Sequence, residues 1–330
     1  MKAARSIHKN KGRFNLKRWL HSRKGQQALV IGAFMLIPLL LLFVFTYLPF
    51  LEMFKFSFYK MKYIGTKTYV GLDNYKQVFA REDCFGALKL SLYYMLGAFI
   101  QLALALYLAT ILSFKVKFGN LFKGAMFFPY LINGIAIGFI FKFFYTRGFV
   151  FDTVLQWCGF PLENLPYWLR DQRVNNFSLV GASIWNFFGQ NMVLFIGAIM
   201  SVDAEMYEAS TLDGANKWHQ FKYIILPSIK TIIVLNMILS ISGSLSAFTG
   251  PYVITKGANG TGTYFVIMDE IAHVSQKVGL ASAMAIVLLV IIILITVLQK
   301  LFFKYFFDDG TQDNVRKSKS TRKKMVKGVN

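Results

Sequence analysis

Catalysis needs reactive side chains brought together, and this chain of 330 residues keeps its few candidates apart. The two cysteines, Cys84 and Cys158, share no metal-ligand spacing, and their positions suit either two unrelated thiols or an exofacial disulfide. His8, His21, His219 and His273 are isolated, with no H-E-x-x-H motif and no paired carboxylates nearby. The sequence contains no G-x-x-x-x-G-K-[ST] loop, so the chain by itself cannot cradle and hydrolyse ATP. No catalytic or metal-binding residue is predicted, and no cofactor is expected on this chain.

Two other constellations have the residue types for recognition. The first is a set of uncharged amides inside long apolar runs: Asn186 and Gln190 at i and i+4, the adjacent Asn191, Asn133 shortly after Pro129, and Asn236, with Gln101 a weaker member. Side chains of this kind either line a polar path or tie helices together, and both readings stay open. A kink at Pro129 would also free backbone carbonyls beside Asn133. The second constellation lies in 203–227. Ser201 or Asp203 is placed to cap a helix carrying Met206, Ala209 and Leu212 at helical spacing, and Gly214 ends or bends it. A second short helical pattern follows, with Trp218, Phe221, Tyr223, Ile224 and Ile225 as apolar contacts and Pro227 suited to the first turn of the next helix. The expected shape is an L of two short helices with an apolar, small-residue face against the membrane base.

The elements that position these residues follow from the charge pattern. Hydrophobic residues make up 55% of the chain and charged residues only 16%, against about 25% charged in an ordinary soluble domain. Six windows, 25–51, 90–114, 124–141, 174–202, 231–255 and 278–299, contain no Asp, Glu, Lys or Arg. Each can cross a hydrocarbon layer of roughly 30 Å as a helix, with Lys142 snorkelling from the short third window. These runs are too long for barrel strands, and the first is too long for a signal-peptide core. The fold class predicted is an all-α integral membrane protein with six transmembrane helices at about 28–50, 90–114, 124–143, 176–202, 229–255 and 278–300.

Of the 37 Lys and Arg, 24 fall in the two termini and the connectors 115–123 and 203–230, and 13 in 52–89, 142–173 and 256–277. By the positive-inside rule both termini are cytosolic. The formal charge of +21 is concentrated in tails flanking spans, which points to lipid rather than nucleic acid. Residues 1–27 are read as a basic cytosolic or interfacial segment with an anchor at Arg13–Leu20, 28–307 as the six-span domain, and 308–330 as a basic disordered tail.

Glu208-Ala209-Ser210, Asp213-Gly214-Ala215 and Leu226-Pro227 resemble the EAA loop of permease subunits in binding-protein-dependent ABC importers. The Asp-Gly-Ala form with Tyr207 upstream is similar to the carbohydrate, maltose-type branch. Ser210 stands where that pattern usually has Ala. Gly71-Leu72-Asp73-Asn74-Tyr75, Phe128-Pro129-Tyr130, Trp185 with Gly189, Ala247-Phe248, Tyr252-Val253-Ile254-Thr255 and Gly279-Leu280-Ala281-Ser282-Ala283-Met284 extend the resemblance from about residue 28 to 307. The Gly- and Thr-rich stretch within 257–263 departs from the usual Gly-Gly-Pro.

The resemblance implies a type I importer permease in the cell membrane, in a maltose-F-like role beside a second, similar permease. It implies two cytosolic ATPase subunits that use the ATP and receive the loop, and an extracytoplasmic binding protein that delivers sugar. Glu208, Ala209, Ser210, Asp213, Gly214, Ala215, Leu226 and Pro227 are then the coupling residues. A permease for a non-sugar solute is the second reading. A secondary carrier is disfavoured because no ionisable residue lies inside a charge-free window to couple protons or sodium.

Overall fold

A computed structural model describes residues 22–114 and 116–307. The expectations for Arg13–Leu20, for most of the N-terminal segment and for the tail 308–330 lie outside the described residues. Contacts divide the chain into two units after Phe56.

Among the described residues the first unit contains one helix, α1, over Gly25–Phe56. It runs past the expected 28–50 because its charges, Glu52 and Lys55, sit in its last turns, where a helix still continues after leaving the apolar layer. Ser22 caps its start by accepting a hydrogen bond from the Gly25 N–H, and a π turn at Phe43–Tyr47 lies within it.

The second unit opens with a short hairpin, β1 (Tyr59–Lys60) antiparallel to β2 (Thr68–Tyr69), followed by α2 (Asp73–Ala80). A long helix α3 (Glu82–Ser113) comes next. Its first turns carry Glu82, Asp83 and Lys89, so it starts well before the expected residue 90. The third predicted span is two helices, α4 (Gly119–Leu131) and α5 (Gly134–Phe144), bent by 97°. The break falls at Ile132–Asn133, beyond Pro129, because Asn133 turns its side chain back to cap α5 through the Ile135 N–H at 2.8 Å.

The outer connector 142–173 holds α6 (Val150–Trp157). Buried Asp152 accepts hydrogen bonds from the Gly148 N–H and Trp168 Nε1, and the Arg147 guanidinium bonds the carbonyls of Leu162, Leu165 and Pro166. Cys158 there is exposed and Cys84 is buried, and both are free thiols.

Helix α7 (Asn175–Met200) is followed by α8 (Ala204–Leu212), then α9 (Lys217–Gln220) and α10 (Leu226–Leu245). Pro227 sits in the first turn of α10 as expected, but the helical run that forms the fifth span starts earlier, at Lys217. A π turn over Phe221–Ile225 carries the helix from α9 into α10, giving the Pro227 ring room against the carbonyl one turn back. After a break come α11 (Thr249–Ile254), α12 (Tyr264–Asp269) and the last span α13 (Val278–Phe307).

Two close approaches hold this unit together. A Cβ on Gly189 of α7 would lie 1.9 Å from the Met126 carbonyl oxygen, so α4 can rest on α7 only over bare backbone. Trp185, one turn earlier on α7, stacks edge-on against Phe141 of α5 at 5.4 Å, so neighbouring positions of one helix receive both halves of the bent span. At the outer end a Cβ on Gly279 would meet the Tyr59 carbonyl oxygen at 1.7 Å. Asn74 fastens the same strand by donating to the Ser57 and Tyr59 carbonyls, and Ser57 Oγ lies 2.6 Å from Tyr75 Oη. The Gly-Leu-Asp-Asn-Tyr stretch is therefore a clamp between the hairpin and α13. The Gly- and Thr-rich outer loop is likewise pinned: Lys256, Gly257, Asn259 and Gly260 adopt positive φ, and Asn175 and Asn176 donate to the Asn259 and Gly260 carbonyls.

Candidate functional site

Helices α3, α7 and α10 converge with α5 and α11 around a cavity of about 410 Å³. None of its lining residues is Asp, Glu, Lys, Arg or His. Asn186, Gln190, Asn191 and Asn236 all line it. Asn133 does not; it is exposed and caps α5. Asn186 also donates to the Pro129 carbonyl at 3.1 Å, so this one amide both faces the cavity and ties α7 to α4. That carbonyl, beside the bend, also accepts from the Ile132 N–H at 3.3 Å.

Helix α3 adds residues that the sequence reading undervalued or missed. Tyr94, Gly97, Ala98 and Gln101 line the cavity at i, i+3, i+4 and i+7, a helical face that the spacing already contains. Phe187 and Phe248 supply aromatic surface, and Phe248 stacks on Tyr252 at 4.8 Å.

Two fully buried polar atoms of lining residues have no hydrogen-bond partner among the described residues. They are Asn236 Nδ2, on a residue 2% exposed, and Tyr94 Oη. A buried polar group left so costs about 1–3 kcal/mol unless water or a ligand satisfies it. Both residues line the cavity, but the two atoms themselves are closed to solvent. The chemistry available is neutral hydrogen bonding to a molecule rich in hydroxyls, with apolar and aromatic surface for its C–H faces.

The second site is the loop between α7 and α10. Asp203 occupies the N-cap position of α8, while Ser201 instead ends α7 and bonds back to the Ala198 carbonyl. At the other end Gly214 has φ of 80°. Its N–H reaches the Thr211 carbonyl at 3.1 Å and the Ala215 N–H reaches Ser210 at 2.9 Å, the paired bonds of a glycine-terminated helix. Asn216 then caps α9 through the His219 N–H at 2.9 Å.

The two expected short helices are present, and the apolar residues predicted for the face of the first are exposed. Met206, Ala209 and Leu212 point outward, with Leu212 89% exposed, and Tyr207 makes the inward contact through its phenol and the Ile199 carbonyl. Burial pushes that phenol's pKa up, so it stays a donor. Helical spacing could not decide between the two faces because both carry apolar residues. Glu208, Ala209, Asp213 and Gly214 are exposed, while Ser210 and Ala215 are partly covered. Glu208 lines a second cavity of about 630 Å³ beside the ends of α3 and α7. Leu226 and Pro227 begin α10, away from the exposed tip.

Comparison with known proteins gives consistent results. The family described as "Binding-protein-dependent transport system inner membrane component" matches residues 101–306. The chain is 30% identical over 287 residues to the probable ABC transporter permease protein YurN of Bacillus subtilis, covering 83% of this chain and 96% of that one. It is 30% identical to the arabinooligosaccharides transport system permease protein AraP of the same organism, over 81% of this chain and 85% of the relative. A crystal structure of a bacterial ABC transporter involved in the import of the acidic polysaccharide alginate superposes with a TM-score of 0.75 at 17% identity, covering 86% of this chain and 97% of that one. At that identity the likeness is one of fold.

Proposed function

Because the chain belongs to the family of binding-protein-dependent transport system inner membrane components, we propose that it is the multi-pass gate through which a carbohydrate enters the cell. In this reading an extracytoplasmic binding protein delivers the sugar and a second, similar permease completes the path. Two cytosolic ATPase subunits bind and hydrolyse the ATP, with no cofactor and no catalysis on this chain. The terminal basic segments contact lipid, and no nucleic acid is involved.

The observation that carries the reading is the uncharged, amide-lined cavity with Asn236 Nδ2 unpartnered in its wall. Sugars are dense in hydroxyl groups and carry no formal charge, so they can satisfy such a wall without the desolvation cost of a buried ion. An acidic polysaccharide would bring carboxylates into a lining with no cation, which favours neutral mono- or oligosaccharides here. Relatives named for arabinooligosaccharides support the same cargo class.

Coupling follows from the loop. Its exposed apolar tip and the Glu208 carboxylate suit a cleft on the ATPase, where the carboxylate meets a basic or N–H group. Closure of the ATPase pair on ATP then favours the outward-facing state because the loop is held differently in the two states.

Deletion of the gene should abolish growth on at least one neutral saccharide. The parent chain should restore that growth, and Glu208→Lys should not. Unchanged growth on every neutral saccharide tested, with growth lost on a charged solute instead, would overturn the cargo assignment.

A further inference from the structure

The L-shaped loop can transmit force only if its corner does not fold under load. The covalent link across that corner is weak, because Asp213–Asn216 separate α8 from α9 and Gly214 is left-handed with nothing within 4 Å of a Cβ placed on it. One side chain spans the corner. Gln220, the last residue of α9, is 2% exposed. Its Nε2 lies 3.0 Å from Ser210 Oγ, 3.0 Å from Thr211 Oγ1 and 3.4 Å from the Tyr207 carbonyl, all on α8.

The directions of these bonds are fixed. Both hydroxyls donate to the Tyr207 carbonyl at 2.8 Å, which leaves their lone pairs to accept the two amide protons. On the other side Oε1 accepts from Lys217 Nζ at 3.2 Å, and that ammonium lies 4.1 Å from the centre of the Phe114 ring, just past the end of α3. Turning the amide over would set NH₂ against the ammonium and leave Ser210 and Thr211 facing an oxygen with their protons already engaged.

From this arrangement we infer that Gln220 is the positioning residue of the coupling corner, a latch that makes α8 move as one body with α9. The inference rests on the coupling role proposed above for the loop. It also gives the Ser210 hydroxyl a task that an alanine could not perform, since Ser210 both donates to α8's own backbone and receives the latch.

The test uses the full complex with its ATPase subunits in proteoliposomes and ATP with vanadate as the trapping probe, so that the cargo need not be known. In a chain whose exposed Cys158 is replaced by serine, a cysteine replacing Ser240 in the cavity wall reports opening through its reaction with an impermeant maleimide on the extracytoplasmic side. In the parent chain trapping should raise that reaction. Gln220→Leu and Gln220→Glu, which respectively remove the amide and replace its donors with a carboxylate, should trap vanadate normally yet lose most of the rise. Ser210→Ala with Thr211→Val should lose it too and add nothing further in the Gln220→Leu background, the non-additivity of one shared contact. A full rise in both Gln220 variants would overturn the latch and leave the coupling reading standing. No rise in the parent chain, despite trapping, would remove the coupling reading and the latch with it.

Discussion

Asn236 and Gln220 are both amides and both 2% exposed, yet one ends with an unpartnered Nδ2 and the other has partners for its amine and its oxygen. Burial alone therefore says little about what a polar side chain does. The satisfied amide fastens two helices into one rigid part. The unsatisfied one belongs to a residue of the cavity wall, and its donor is buried without a partner among the described residues. In the reading proposed above, the first kind of amide braces the coupling loop and the second sits beside the sugar path.

The contrast can be broken most severely at the frame that supports both regions. Gly189→Leu would force a side chain into the Met126 backbone, where even a Cβ falls at 1.9 Å. The expected cost is about 3 kcal/mol or more, with loss of folded, monodisperse protein on size exclusion. Glu208→Lys and Gly214→Asp come next. They should leave the protein in the membrane at normal levels and abolish uptake while weakening ATPase co-purification. The aspartate would also add about 1–2 kcal/mol of backbone strain at φ of 80°.

The two buried amides should then respond in opposite directions to the same change. Gln220→Leu should lower thermal stability by about 0.5–1.5 kcal/mol, because it removes the bonds to Ser210, Thr211 and Lys217. Asn236→Leu should leave stability unchanged or raise it by about 1 kcal/mol, because an orphan is removed, while uptake falls about tenfold. A destabilised Asn236→Leu would mean that its amide is a fastener after all.

The smallest effects separate path from glue within one helix face. Asn186→Ala should cost about 0.5–1.5 kcal/mol, since the Pro129 carbonyl keeps the Ile132 N–H. Gln190→Ala, which also lines the cavity, should reduce uptake with less change in stability.

Much of the frame was legible because membrane burial excludes charge: five long helices and one bent pair coincide with the six charge-free windows. Helix ends were less legible, as at Glu82 and Lys217, because a helix does not stop where the apolar layer does. The bend at Ile132–Asn133 was placed too early because proline draws attention, while the cap made by Asn133 is what turns the chain. Among the path candidates, type and spacing identified Asn186, Gln190, Asn191 and Asn236, but the Tyr94 to Gln101 face was undervalued because only one of its polar members was weighed. Gln220 gave no signal at all. Its role depends on three groups of α8 meeting it across a turn, and nothing local in the sequence specifies that meeting.

The central claim is that an uncharged sugar crosses by way of an amide-lined cavity, driven by ATP. The most direct measurement is ATP-dependent uptake by the reconstituted complex from a panel of neutral oligosaccharides and uronate oligomers of equal length. The account predicts uptake of at least one neutral member, none of any uronate, and a loss of about tenfold for that neutral sugar in Asn236→Leu. Import of a uronate, or sugar uptake that continues without ATP, would contradict it.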